Sequence, residues 1–249
     1  MRLPPVIFHE LVFQWEQLRS GIIELFTDDG SIPLEHISSR PEQWLVNWLV
    51  SDGGAKQLLC SLLQRSPTAF IRTTVQRPFY LANEGDIDLL ICDPDSPHET
   101  AVIECKRVKV RVQDEGNDSI NRLEAVGEAV KQARKLYEKF GFFQTYLAVV
   151  SAVDGANRKR VSIPCRGVTH DSVPNRDTST TTFRSILQFP RREELPSDIG
   201  IIFIELVQSS GRAFQDQGIV RICVHHKAAP RSQRESETRK VLELLRTSA

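Results

Sequence analysis

The chain of 249 residues lacks any excess of charge: Lys and Arg number 32, Asp and Glu number 32, and the formal net charge is zero. That balance argues against a protein that coats nucleic acid by bulk positive charge, while leaving room for a local basic groove. No apolar run approaches the roughly 18–20 residues that cross a bilayer, so no membrane partner is expected. The opening residues, MRLPPVIFHELVFQWEQL, hold no sustained apolar stretch ahead of a small-residue site, so no signal peptide is expected. Cysteine is scarce and odd in number, with five residues (Cys60, Cys92, Cys105, Cys165 and Cys223) and no C-x-x-C. Neither a disulfide framework nor a zinc site is visible, and the thiols read as reduced, in a cytoplasmic protein. There is no Walker A or G-x-G-x-x-G sequence for nucleotide-driven or dinucleotide chemistry, and no G-x-S-x-G elbow for a Ser-His-Asp hydrolase. The histidines form no cluster. His225 and His226 are adjacent, and neighbouring strand positions point to opposite faces.

What is present is ordinary globular sequence, 40% hydrophobic and 26% charged. This is enough chain to bury a core without covalent staples, as one large domain or two small ones. Helical periodicity runs over 6–26, 42–50 and 55–65. Ser39 or Arg40, followed by Pro41, predicts a helix start at about Glu42, and Gly53 and Gly54 interrupt the helical region. Strand signals follow at Ala69–Val75, Gly85–Cys92 and Thr100–Lys106, the last two separated by the turn-rich Asp93–Glu99. Residues 118–140 predict a long amphipathic helix, capped by Asp118 or Ser119 and closed by Gly141. Tyr146–Val153 predicts a strand. Beyond it, Val161–Val168, Ile199–Val207 and Ile219–Val224 predict strands, and 169–182 a Ser/Thr-rich loop. The tail is polar until a short helix at Val241–Arg246. The expected organisation is a helical segment over 1–40, a main domain over 41–226 and a polar tail over 227–249. The fold class is α/β: a mixed β-sheet core in the order α-β-β-β-α-β, flanked by helices, with additional C-terminal strands.

The stretch richest in chemistry is Asn83–Val110. Folded as an antiparallel hairpin about Ser96, it puts Asp88 opposite Glu104 and Asp86 opposite Lys106. Strand side chains alternate, so Asp86, Asp88 and Leu90 share a face, as do Val102, Glu104 and Lys106. Opposed residues have Cβ atoms about 4.5–5.5 Å apart. The other face, Ile87, Leu89, Ile91, Ala101, Ile103 and Cys105, is apolar and suited to packing under a helix. Carboxylates so close repel unless a positive charge lies between them. Mg²⁺ fits, because it takes one or two protein carboxylates, keeps several waters and accepts phosphate oxygens. A lysine two residues from a ligand can serve an attacking water or offset charge on a phosphate.

Asp88 followed by Glu104-Cys105-Lys106 at the end of an apolar strand resembles the PD-(D/E)xK nuclease superfamily, whose restriction-endonuclease-like core has the same α-β-β-β-α-β order. The resemblance covers roughly residues 40–153 in topology and Gly85–Lys106 in motif. It implies a nuclease-like domain over 41–226 that hydrolyses phosphodiester bonds, most readily in DNA. Asp88 and Glu104 would bind Mg²⁺ (or Mn²⁺), the Cys105 carbonyl would be a further ligand, and Lys106 would serve the nucleophilic water. Many such enzymes cut two strands as dimers, so a homodimer is compatible with the resemblance. The sequence departs from the family pattern at Ile87, which stands where proline would precede the aspartate. The literal Pro94-Asp95 sits at the hairpin tip, about 20 Å from Glu104's end, and is rejected. A two-residue slip would make Asp86 the ligand instead.

Family members also suggest Gln132 on the following helix, although Tyr137 stands five residues on rather than four. They suggest Glu42 on the first helix too, where a dipole-favouring first-turn glutamate is the plainer reading. Lys106, Arg107, Lys109, Arg111, Arg122, Lys131, Arg134 and Lys135 are candidates for a phosphate-tracking groove, weighed against an ordinary solvated helix face. Two other functions fit the same residues: a non-catalytic nucleic-acid-binding or assembly module on this fold, and a phosphohydrolase acting on a small phosphate ester.

Overall fold

A computed structural model describes residues 9–14, 40–51, 53–75, 86–111, 119–121, 123–153, 195–208 and 217–248. Two helices lead into the strands: α1 (Glu42–Ser51) and α2 (Gly53–Leu62). Pro41 stands just before the first helical residue, where its missing N–H costs nothing and its fixed φ suits the helix. The Pro41 carbonyl accepts the Leu45 N–H.

Three antiparallel strands follow, β2 (Phe70–Val75), β3 (Ile87–Cys92) and β4 (Ala101–Arg111), the last two joined through a turn and a short 3₁₀ segment at Pro97–Glu99. The short β5 (Ser119–Asn121) pairs with the far end of β4. Helix α3 (Leu123–Lys135) continues into a π-helical turn, Leu136–Phe140. It carries the chain over to β6 (Gln144–Val153), parallel to β4. Then β7 (Gly200–Gln208) runs parallel to β6, β8 (Gln217–His226) antiparallel to β7, and α4 (Glu235–Ser248) closes the described chain. With β1 (His9–Gln14) beside β8, the sheet order is β1-β8-β7-β6-β4-β3-β2.

Helices cover both faces of this sheet, which explains why β3, β6 and β7 read as near-continuous apolar runs. On one face α1 and α2 bury Trp44, Leu45, Trp48, Leu49 and Leu59 against Leu89, Ile91, Ala101, Ile103, Cys105 and Ala148. A side chain of that size contributes about 1.5–3 kcal/mol when fully buried. On the other face Ala129, Val130 and Ala133 of α3 meet Leu147, while Val241 of α4 packs with Leu90, Val102 and Phe142. Ile87, expected to share the face of Leu89 and Ile91, instead packs with Leu90, Val102, Phe142 and Val241. Gly141 ends the π turn in the left-handed region at φ +67, as foreseen for a C-terminal glycine. Carbonyls nearby accept from arginines of the later chain: Arg231 donates to the Tyr137 and Phe142 carbonyls, and Arg234 to those of Lys139 and Glu138.

Four local expectations are corrected. Residues 9–14, expected within a helix, form β1; a short apolar run satisfies either period, and pairing with β8 decides it. Ser119, expected as a helix cap, lies in β5, and α3 starts at Leu123. β4 extends past Lys106 to Arg111, because the charged residues after Lys106 still pair with β6 and β5. The terminal helix expected at Val241–Arg246 is present but longer, Glu235–Ser248. α4 begins at Glu235, two turns before its first apolar residue, with Glu235 and Glu237 at the end where negative charge favours the helix dipole. The expected strand at 161–168, the loop at 169–182, Cys165 and the rest of 6–26 lie outside the described residues. The four described cysteines, Cys60, Cys92, Cys105 and Cys223, are buried. No helix among the described residues is long and apolar enough to cross a membrane.

Candidate functional site

The β3–β4 hairpin adopts the expected register. Leu89 pairs with Ile103, Leu90 with Val102 and Ile91 with Ala101, so Asp88 and Glu104 are the next opposed residues. The slipped register that would set Asp86 against Glu104 does not occur. Asp86 is exposed just ahead of β3, and Asp95 is exposed in the turn at the opposite end of the hairpin.

Below that last pair the ladder gives way to side chains. The Cys105 N–H donates to Oδ2 of Asp88 at 2.7 Å. Two residues on, the Arg107 N–H points to the same side of the strand and donates to Oε2 of Glu42. Two successive main-chain donors of β4 are thus satisfied by carboxylates, one from β3 and one from the first turn of α1. A strand residue's N–H and C=O point toward the same neighbour, so the Cys105 carbonyl faces this carboxylate-lined gap as well.

Three acids from three elements therefore meet here. Glu104 is 5% exposed, and burial raises its carboxyl well above the ordinary range, with the charges of Asp88 and Glu42 adding to the rise and Lys106 opposing it. Asp88 is half-buried. Burial pushes its carboxyl up to about 6, against the lowering by the Cys105 N–H, while Glu42 and Asp86 raise it and Lys106 lowers it. The Cys105 thiol is raised by burial and by the same acids, so it is an inert core thiol, and only the main chain of this residue faces the chemistry. Lys106 lies on Glu104's face of β4, with its Nζ 3.8 Å from Oε1 of Glu42.

Hard oxygen donors crowded by mutual repulsion are the chemistry that a hard divalent cation relieves. Two carboxylates and one carbonyl match the small protein share of a Mg²⁺ shell, which keeps several waters. Among the described residues no group of three or more His, Cys, Asp or Glu side chains is arranged to hold a metal. The fit therefore rests on Asp88, Glu104 and the Cys105 carbonyl.

The remaining candidates separate. Glu42, read from sequence mainly as a dipole-favouring residue, is part of the site. Gln132 lies on the exposed side of α3, away from the buried stripe of Val126, Ala129, Val130 and Ala133. Arg107 is corrected: it is 5% exposed and on the face opposite Lys106, so it does not line a surface groove. Lys131 and Lys135 are exposed, and Arg134 pairs with Glu138 at 3.6 Å. The side chains of Lys109, Arg111 and Arg122 lie outside the described residues.

No family model, curated protein or solved structure matches the chain.

Proposed function

We propose that this chain is a Mg²⁺- or Mn²⁺-dependent nuclease that hydrolyses phosphodiester bonds, most readily in DNA. The observation that carries the reading is the register of one hairpin. It opposes Asp88 to Glu104 at the point where β4 continues past the paired part of β3, with Lys106 on Glu104's face. The antiparallel β2–β3–β4 run, the α3 crossover and the parallel β6 support a restriction-endonuclease-like core around that hairpin.

Asp88, Glu104 and the Cys105 carbonyl would hold the cation, which when bound makes water a stronger nucleophile and offsets charge on the phosphate. The chain's own part is positional. Asp88 is oriented by the Cys105 N–H, and Glu104 is kept in a low-dielectric setting where charge interactions are strong. The Lys106 ammonium is placed to donate to the attacking water or to a phosphate oxygen. Water adds to phosphorus as one P–O ester bond breaks, leaving a phosphate end and a hydroxyl end.

The test is incubation of the purified chain with supercoiled, linear and single-stranded DNA, and with RNA, in Mg²⁺, in Mn²⁺ and in EDTA. Cleavage that requires the divalent ion and is abolished by Asp88→Asn is the expected result. No cleavage of any substrate in either metal rejects the reading. Hydrolysis of small phosphate esters in place of polynucleotides rejects it in favour of a phosphohydrolase.

A further inference from the structure

The acid nearest to Lys106 in the described structure is neither of the two expected metal ligands. Glu42 opens α1, and that helix is pinned by Trp44, Leu45, Trp48 and Leu49, all 2% exposed or less. One oxygen of Glu42 accepts the Arg107 N–H and the other lies 3.8 Å from the Lys106 ammonium. Because α1 packs on the Cys105 face, this carboxylate reaches past the edge of β4 to meet a lysine of the opposite face. One oxygen is thereby bonded to the strand, and the other lies within ion-pair distance of its lysine.

We propose that Glu42 is the positioning residue of Lys106, acting through the lysine and not as a metal ligand. The proposal rests on the nuclease reading and adds to it how the lysine is aimed. A lysine carries a long, freely rotating stem, and an ammonium that must meet a water or phosphate oxygen needs its direction set from outside. The paired side chains are 25% and 29% exposed, so the ion pair adds little to stability. Its effect lies in holding Nζ on the Glu104 side. Anchoring to the Arg107 N–H ties that position to the same strand that carries Glu104 and Lys106.

A double-mutant cycle tests this on the full chain, using single-turnover cleavage of supercoiled DNA in Mg²⁺ by wild type, Glu42→Gln, Lys106→Ala and the double variant. Glu42→Gln keeps the length and an acceptor for the Arg107 N–H, so the fold is expected to survive. Glu42→Asp, which keeps the charge one methylene short, provides a second cycle. Glu42→Gln should slow cleavage about tenfold alone and by less than about twofold when Lys106 is already alanine. Its Mn²⁺ affinity by calorimetry should stay within about twofold of wild type. Losses that multiply in the double variant, or Mn²⁺ affinity that falls about tenfold, would make Glu42 a ligand and overturn the proposal. If wild type cleaves nothing, the nuclease reading fails, and the pair itself is read separately by NMR of ¹⁵N-labelled lysine. There the Lys106 ammonium signal, identified by its loss in Lys106→Ala, should move in Glu42→Gln while the other lysine signals stay. An unmoved signal overturns the proposal whatever the activity.

Discussion

The carboxylate of Asp88 accepts the main-chain N–H of Cys105 at 2.7 Å, so a side chain of β3 occupies the place where a main-chain carbonyl would continue the ladder. That substitution opens a gap in the pairing while leaving no donor unsatisfied, and it fixes one oxygen of Asp88. An aspartate oriented by one main-chain donor needs little reorganisation to bind an ion, which is the general advantage of preorganised ligands.

Metal affinity should follow from this arrangement. Asp88→Asn keeps an acceptor for the Cys105 N–H and Glu104→Gln keeps its volume, while each removes one anionic ligand. Calorimetric titration with Mn²⁺ should show affinity lower by about tenfold or more in each variant, the scale on which metal sites respond to altered ligation. Unchanged affinity in both would refute the ligand assignment.

The raised carboxyls also make a claim about stability. An acid held up in the folded state keeps its proton while the unfolded chain has lost it. Between pH 3.8, the ordinary value, and about 6 for Asp88, the folded state therefore binds more protons, and stability falls as pH rises through that window. Below the window both states are protonated and there is no penalty. Above it the penalty is fully present, on the order of 3 kcal/mol at about 1.4 kcal/mol per unit. Glu104 shifts in the same direction, and the two titrate as a pair. Without divalent ions, Asp88→Asn should melt several degrees above wild type at pH 8, with the gain shrinking toward zero at pH 4. Mg²⁺ should raise the wild-type melting temperature at pH 8 and that of the variant much less. An equal melting difference at both pH values would remove the basis for the charge crowding.

Part of this site was open to sequence reasoning, for physical reasons. Asp88, Glu104 and Lys106 sit on a period-two pattern joined by a turn-rich loop, and strand alternation converts such spacing directly into opposition. Glu42 is different. Its partner Arg107 lies 65 positions away, and no periodicity in α1 encodes which strand its first turn will meet. A first-turn glutamate next to a helix-starting proline was visible, but only packing gives it a partner. The same applies to β1, whose pairing with β8 spans most of the chain. Arg107 shows the reverse error: charge suggested exposure, while its parity on β4, opposite to Lys106, already placed it on the buried side.

One glycine carries a packing constraint that composition alone hides. A Cβ at Gly200 would lie 2.2 Å from Cδ1 of Tyr146 and 2.7 Å from the main-chain nitrogen of Ala228. The tyrosine ring is 1% exposed and Ala228 contributes backbone, so neither can give way easily. Gly200→Ala should destabilise the fold by about 1–3 kcal/mol, the usual scale for overpacking. Urea denaturation at pH 7 measures it, and a midpoint within error of wild type would show that β7 can shift against β6 at that position.

Lys106→Ala separates chemistry from binding. The lysine stands two residues beyond Glu104 on the same face, and its ammonium lies 3.8 Å from an oxygen of Glu42. Removing it should slow single-turnover cleavage by about 10²-fold or more, the scale for losing a positioned proton-transfer or charge-stabilising group. DNA affinity should fall far less, because one phosphate contact among several carries only part of the electrostatic attraction. Mn²⁺ affinity should not fall, since the lysine supplies no electron pair to the ion in its charged form. Binding is measured in Ca²⁺, which can occupy such a site without supporting efficient chemistry, and cleavage is measured on the same preparation in Mg²⁺. If cleavage is unaffected, Lys106 is a surface charge and the mechanism fails at its central step. If cleavage and binding fall by the same factor, Lys106 is a phosphate-binding residue, and the group that serves the water must come from elsewhere on the face that Glu104 shares.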